Sequence, residues 1–336
     1  MKRTPDLTLV TAADQNYFWG LYLLAASVER GALGNRLVIF HTGLDADSER
    51  LLTQFRRVEL RKFAEKESPL GLHCRKAEAM LQAEGEYLAW LDSDCLVIGD
   101  VNEWIIPGNG EMQARLRKPE ETIADLGRFY QPHEPRGGLP RIILERWRDD
   151  VGERATPRLD AMVPSNVFVL HSKYKPFLEH WDRQMAKVLT PGIGTLDFDQ
   201  PAYFLTDESV LNSLLAFADF APEVAEYRLA LERDRHVAHF MGSPKPWVRW
   251  LPRNLYCLPF THELILWLRA QGMELPPLPR SLDPAKRSRA VIEAQVMARW
   301  QRLRSLPGKV WKRARTATTW PRRGLGGSPI RGALTP

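Results

Sequence analysis

The apolar run Tyr87-Leu88-Ala89-Trp90-Leu91 ends in two acids one residue apart, Asp92 and Asp94. Alternate residues of an extended backbone point to the same side, so both carboxylates can face one object. Two acids side by side repel unless a cation lies between them. A hard divalent ion with oxygen ligands, its shell completed by a phosphate, suits such a pair. The alternative is a plain turn after a strand, with Asp-Ser-Asp capping the next segment. A second stretch that could do chemistry is His236-Val237-Ala238-His239-Phe240-Met241-Gly242-Ser243-Pro244-Lys245-Pro246-Trp247. There a strand ends in His239, and Gly242 allows a tight turn and close backbone approach. Lys245 follows between two prolines. Imidazole is the commonest nitrogen ligand for a transition metal, and a lysine in a rigid turn suits a phosphate. Singly, such a His is more often structural and such a Lys more often solvated; the combination is what points to a site. A third stretch, Thr206-Asp207-Glu208-Ser209, opens a helix. Acids there ordinarily act as caps and partners of the helix dipole.

The elements that must hold these residues follow from hydrophobic periodicity. Leu7 to Ala12 reads as a strand, broken by Asp14-Gln15-Asn16. Phe18, Leu21, Ala25 and Val28 recur at helical spacing up to Arg30, and Gly31 ends the pattern. A strand from Arg36 to Phe40, a helix from Asp47 to Phe55 capped near Asp47 or Ser48, and a strand from Val58 to Arg61 come next. A helix from His73 to Leu81 then leads to the buried strand at Tyr87. Alternating strands and helices predict a parallel sheet with crossover helices. Carboxylates after a central strand would lie where open α/β sheets bind ligands.

From Pro107 to Met162 the sequence is rich in Gly, Pro, Arg and Glu and poor in periodicity. It reads as a long excursion over the active face with a helix near Ile142 to Trp147, or, for part of it, as disordered chain. Ser165 to His171 is another buried strand, and a helix carrying Phe177, Leu178, Trp181, Met185 and Val188 follows it.

The 336 residues, 44% hydrophobic and 26% charged, make an ordinary globular composition with ample core. Three cysteines, Cys74, Cys95 and Cys257, form no disulfide framework and no metal-ligand spacing. That suits a reducing compartment. No apolar stretch near the start reads as a signal peptide, and none elsewhere is long enough to span a bilayer. The net charge of +6 is unevenly spread: from Pro284 onward there are thirteen Lys or Arg and one acid, a net of +12, which leaves −6 for the rest.

The pattern His-x-x-Gly-x-x-Lys-Pro-Trp, with an upstream D-x-D after a buried strand, resembles glycosyltransferase family 8. Thr11-Ala12-Ala13-Asp14-Gln15-Asn16-Tyr17 looks like that family's nucleotide-binding opening, and the likeness runs from about Leu7 to Trp250. It implies a GT-A fold: an α/β, Rossmann-like, mixed but mainly parallel sheet flanked by helices. Residues 1–250 would form that domain, 251–283 a C-terminal helical extension, and 284–336 a basic tail. It also implies a nucleotide-sugar donor, here a UDP-hexose, with Mn²⁺ or Mg²⁺ held by Asp92, Asp94 and His239. Gly242 and Lys245 would meet the diphosphate, and Ser93 would also bind the donor. Asp14, Asn16 and Tyr17 would hold uracil and ribose, and Lys76 and Asn166 would also reach the donor. Asp207 would bond the donor sugar. Glu208, where the family commonly has Gln, is a candidate nucleophile or charge stabiliser beneath the anomeric carbon. Two departures, Pro164-Ser165-Asn166-Val167 for the usual Asn-Ser/Ala-Gly-Val and Asp207-Glu208-Ser209 for Asp-Gln-Asp, lie near the sugar and leave its identity open.

The reaction expected is therefore retaining hexosyl transfer to a saccharide or glycolipid hydroxyl. A nucleotidyltransferase would also use a metal and paired acids, but would want a Gly-rich phosphate loop, which Asp14-Gln15-Asn16 is not. A non-catalytic sugar- or membrane-binding relative should have lost Asp92, Asp94, His239 or Lys245, and all four stand. In the tail, Lys286 to Leu306 can form a helix with Ile292, Val296, Trp300 and Leu303 along one side and Arg289, Arg299, Arg302 and Arg304 flanking it. Lys309-Val310-Trp311-Lys312-Arg313 then repeats the pairing of Trp with cations. An apolar stripe with basic flanks suits an anionic membrane, placing the protein at the cytoplasmic face of the cell membrane. Nucleic acid, which charge alone would serve, and a helix docked on the protein's own acidic body are the alternatives.

Overall fold

The computed structural model describes residues 6–31, 34–64, 70–104, 111–226 and 236–300. Its N-terminal half alternates strand and helix as the periodicity predicts. The elements are β1 (Leu7–Asp14), α1 (Phe18–Gly31), β2 (Arg36–Thr42), α2 (Ala46–Thr53), β3 (Val58–Lys62), α3 (Lys76–Gln82) and β4 (Tyr87–Leu91). The cap of α2 is Asp45, not Asp47 or Ser48: its Oδ1 accepts the Ser48 N–H at 2.7 Å. Then come β5 (Cys95–Val97), β6 (Met112–Ala114), α4 (Pro119–Leu126), α5 (Arg141–Val151), β7 (Val167–His171) and α6 (Lys175–Val188). The chain continues through α7 (Thr206–Phe217), β8 (Val224–Glu226), β9 (Val237–His239) and α8 (Leu258–Ala270). Residues 287–300 form a last helix, α9.

Among the described residues, seven strands make one mixed sheet in the order β3-β2-β1-β4-β7-β6-β8. β1, β2, β3 and β4 run parallel, while β7 is antiparallel to both β4 and β6. β5 and β9 pair antiparallel in a separate two-stranded ribbon. The apolar run from Tyr87 to Val97 is thus two strands in two sheets, with the Asp-Ser-Asp turn between them. The strand that ends in His239 belongs to the ribbon, so His239 and Asp92 come to the turn from different sheets.

Strands buried on both faces explain the near-continuous apolar runs. On one face Leu9, Ala89 and Leu91 pack with α1 and α8 through Leu21, Leu24, Leu264 and Leu268. On the other, Val10, Leu88, Trp90 and Phe168 pack with α3, α6 and α7 through Met80, Trp181, Met185 and Leu211. Leu258, Leu264, Ile265, Leu268 and Leu282 of the C-terminal extension belong to the same apolar cluster as α1.

The excursion from 107 to 162 holds more order than its sequence suggests. Besides α5, where Trp147 is buried and donates its indole N–H to Ala202 O at 2.7 Å, it contributes strand β6 and helix α4. α4 starts at Pro119 with Glu120 and Glu121 in its first turn, and the Glu121 carboxylate accepts the Lys118 N–H at 2.9 Å. α9 docks on the body through Ala290 and Ala294, which are buried, with Val291 packed beside them. Its other side carries Ile292, Val296 and Trp300, exposed at 58%, 52% and 58%. Leu303 and the later tail residues lie outside the described residues.

Candidate active site

Asp14 closes β1, and Asp92 follows the last residue of β4. Both lie at the carboxyl ends of parallel strands, on a cavity of about 800 Å³. Tyr17, Lys76, Ser93, Asp94, Asn166, Asp207, Glu208, His239, Gly242 and Lys245 also line it. Asn16 does not. It is exposed beside the mouth and donates its backbone N–H to Asp14 Oδ1 at 2.9 Å and its side-chain amide to Asp14 Oδ2 at 3.3 Å.

The turn that bears the acids is pinned from below. A Cβ on Gly20 of α1 would lie 2.4 Å from Ser93 O, so only glycine lets α1 pass this close to the turn. From above, Phe240 donates its N–H to Asp94 O at 2.9 Å, joining the ribbon to the turn. Gly242, at φ +76°, reverses the chain after β9 and brings Lys245 back over Asp94.

The two acids have different partners. Asp92 Oδ1 accepts the Trp90 indole N–H at 2.8 Å and meets Lys76 Nζ at 3.1 Å. Asp94 Oδ1 lies 3.2 Å from His239 Nε2, and its Oδ2 pairs with Lys245 Nζ. Burial raises the Asp92 pKa, only partly offset by Lys76, and the neighbouring Asp94 charge raises it further. Burial would raise Asp94 too, but His239 and Lys245 outweigh it and hold that carboxyl well below the usual range. Burial disfavours a charged His239, yet Asp94 beside it holds the imidazole above its ordinary value. The Asn166 amide lies 3.0 Å from His239 Nδ1. The amide nitrogen faces the ring, so Nδ1 accepts its N–H, and Nε2 carries the hydrogen that meets Asp94 Oδ1.

Asp94, Cys95 and His239 each offer a ligand atom, all within 4.8 Å of one another. Asp92 stands outside that group, turned to Lys76. The Asp94 oxygen and His239 nitrogen, with a second carboxylate beside them, could hold a divalent cation. The Lys245 ammonium already stands on Asp94, so this carboxylate holds a cation in the protein as it is. Cys95 adds a sulfur that the spacing of cysteines did not reveal. It faces His239 across the ribbon, because antiparallel partners share a side, and it is fully buried.

Deeper in the cavity Lys76 is the hub. Its Nζ lies 3.0 Å from Asp207 Oδ2 and donates to Ser165 Oγ at 2.9 Å and Ser165 O at 3.1 Å, besides its contact with Asp92. Ser165 Oγ in turn donates to Asp207 Oδ2 at 2.9 Å. The first turn of α7 is fixed by Trp181, whose indole N–H donates to Asp207 O at 3.2 Å. Thr206, just before it, has φ +37°, a strained backbone for a β-branched residue. Glu208 is 12% exposed and meets Arg117 Nη2 at 2.5 Å. Its other oxygen accepts the Ser165 N–H at 3.2 Å. Burial raises the Glu208 pKa, and Arg117 opposes that shift. The sequence reading missed Arg115 and Arg117, which also line the cavity, together with Glu121 and Asp125 of α4. At the mouth, Tyr17 is 38% exposed. Its ring meets Trp247 edge-on at 5.9 Å, with Lys245 Nζ 5.8 Å from its centre.

A mixed sheet with acids at the carboxyl ends of its parallel strands, and a second small ribbon closing over them, is the GT-A glycosyltransferase architecture. The chain has that fold, and solved structures share it. The apo structure of WbbM, described as a bifunctional glycosyltransferase, matches at TM-score 0.50 and 14% identity over 74% of this chain and 48% of that one. The chain thus spans about half the length of WbbM. LgtC, a galactosyltransferase solved with donor and acceptor sugar analogues, matches at TM-score 0.47 and 17% identity over 82% of this chain and 99% of its own. The glycosyltransferase GlyE of Streptococcus pneumoniae TIGR4 matches at TM-score 0.48 and 12% identity over 80% and 64%. No family model matches the sequence, and no curated protein matches it.

Proposed function

We propose that the protein is a metal-dependent, retaining glycosyltransferase of the family 8 type, moving a hexose from a UDP-sugar to a hydroxyl of a saccharide or glycolipid. The observation that carries this reading is the meeting in one cavity of Asp92, Asp94, His239 and Lys245 with the buried Asp207 and the part-buried Glu208. Asp94 and His239, with Asp92 beside them, would hold Mn²⁺ or Mg²⁺. That ion would neutralise charge on the departing diphosphate. Lys245 supplies a second positive charge to the same phosphates, turning from Asp94 to do so. Gly242 leaves room for them, and Tyr17 offers its ring to the base. Asp207, anchored by Lys76 and Ser165, presents an oxygen to the sugar hydroxyls. Glu208 faces the positive charge that builds up at the anomeric carbon. The bond from that carbon to the diphosphate oxygen breaks, and the acceptor oxygen bonds to the carbon. The acceptor proton leaves with the diphosphate.

Incubation with Mn²⁺ and a panel of nucleotide sugars, followed by assay of released nucleoside diphosphate, tests the reading. A UDP-hexose is expected to be consumed. Absence of Mn²⁺-dependent binding of any nucleoside diphosphate in calorimetry would overturn it. Glu208→Gln, which keeps shape and loses charge, is expected to slow turnover at least about 100-fold, in the range seen when an electrostatic stabiliser is removed. Near-normal turnover would leave Glu208 as an ordinary acid of a helix start.

The acceptor side of the proposal rests on the tail. No described helix is long and apolar enough to cross a membrane. The exposed Ile292, Val296 and Trp300, followed by a strongly cationic sequence, favour an anionic membrane surface as partner. The tail would then hold the enzyme on the inner face of the cell membrane. Deleting residues 285–336 is expected to abolish sedimentation with anionic vesicles at low salt and to leave donor hydrolysis intact. Continued sedimentation of the truncated protein would mean that the tail is not the anchor.

A further inference from the structure

Glu208 does not reach the cavity unsupported. Arg117 lies in the link between β6 and α4, and its backbone N–H donates to Met162 O at 2.8 Å. Its guanidinium is divided between two acids. Nη2 meets Glu208 Oε1 at 2.5 Å, and Nη1 pairs with Asp125 of α4. The Arg117 side chain is 14% exposed and Glu208 12%, whereas Asp125 is 41% exposed, so the pairing runs from the mouth inward. With Arg117 on one Glu208 oxygen and the Ser165 N–H on the other, the carboxylate cannot rotate without losing a charge-assisted bond.

We infer that Arg117 is a positioning residue of this site: it fixes the carboxylate of Glu208 in the cavity, and Asp125 on α4 fixes Arg117. The inference rests on the role given to Glu208 above. The charged groups facing Glu208 are Arg117, Asp207 on its own helix and Lys76 on α3, with Asp125 behind Arg117. Arg117 and Lys76 favour the ionised carboxylate; burial and Asp207 oppose it. Removing Arg117 therefore shifts the Glu208 pKa upward.

A double-mutant cycle tests this, using Arg117→Met, Glu208→Gln and the pair, each first shown to melt cooperatively. Arg117→Met is expected to lower kcat about 10- to 100-fold, the scale of one hydrogen bond to a charged group. Donor KM should stay the same, and the acid limb of the kcat profile should move to higher pH. In the Glu208→Gln background the same change should cost less than about threefold. Arg117→Lys, which keeps the charge, should restore the pH profile. Independent, multiplying effects of the two substitutions, or an unmoved acid limb, would overturn the inference while leaving the glycosyltransferase reading in place. If no donor is turned over, ¹³C-carboxyl titration still decides. The Glu208 signal, assigned by its loss in Glu208→Gln, must titrate at higher pH in Arg117→Met; an unchanged midpoint would reject the inference on its own.

Discussion

Asp94→Ala is expected to lose Mn²⁺-dependent UDP binding by at least about 100-fold, since even residues that only support a metal ligand cost 10–100-fold when removed. The physical reason is the division of labour between the two acids. Asp94 is held ionised by His239 and Lys245, whereas Asp92 is occupied by Lys76 and Trp90. Lys245→Ala should act in the opposite sense on the metal alone. With the ammonium gone, the carboxylate is open and Mn²⁺ should bind the nucleotide-free protein more tightly, while UDP binds more weakly. Calorimetry with Mn²⁺ alone, then with UDP added, separates the two. Unchanged UDP binding by Asp94→Ala in Mn²⁺ would show that this carboxylate is not a ligand.

The second large effect is on stability. Lys76→Met should destabilise the fold by about 3–5 kcal/mol, the usual result of removing one partner from a buried ion pair. Here two carboxylates, Asp92 and Asp207, are left facing each other without a cation. Burial alone would depress the Lys76 pKa, but Asp207 and Asp92 override it and hold the ammonium above its ordinary range. A lysine whose pKa is raised by folding stabilises in full below its unfolded value and loses that contribution only as pH rises through the folded one. The loss in Lys76→Met should thus be undiminished across neutral pH and shrink only in strong alkali. Urea unfolding at pH 6 and pH 8 measures it. A cost below about 1 kcal/mol at both pH values would mean that water, not Lys76, balances these acids.

Much of this framework was legible before the structure. Tyr87–Leu91 is a strand with the bounds its apolar run suggests, because a strand buried on both faces leaves no room for polar interruptions. α1 begins and ends where periodicity and Gly31 place it. What escaped was short or non-local. Cys95–Val97 continues the apolar character of β4, and nothing in composition tells one sheet from another. β6 is three residues long, too short for any period, and α4, eight residues inside a polar excursion, was not read from the sequence either. Arg117 meets its partner across 91 residues. An arginine in a polar excursion looks solvated until the fold brings Glu208 to it.

The contact between Gly20 and the Ser93 carbonyl sets a limit on how this sequence can vary. An alanine at position 20 adds one carbon and no charge. That carbon would strike a peptide oxygen at 2.4 Å, and peptides have no rotamer to yield with, so the whole Asp-Ser-Asp turn would have to shift. Position 20 touches no ligand in the proposed reaction. In a saturation library it would nonetheless tolerate as little as the acids themselves, and a ranking of positions by distance from substrate would miss it.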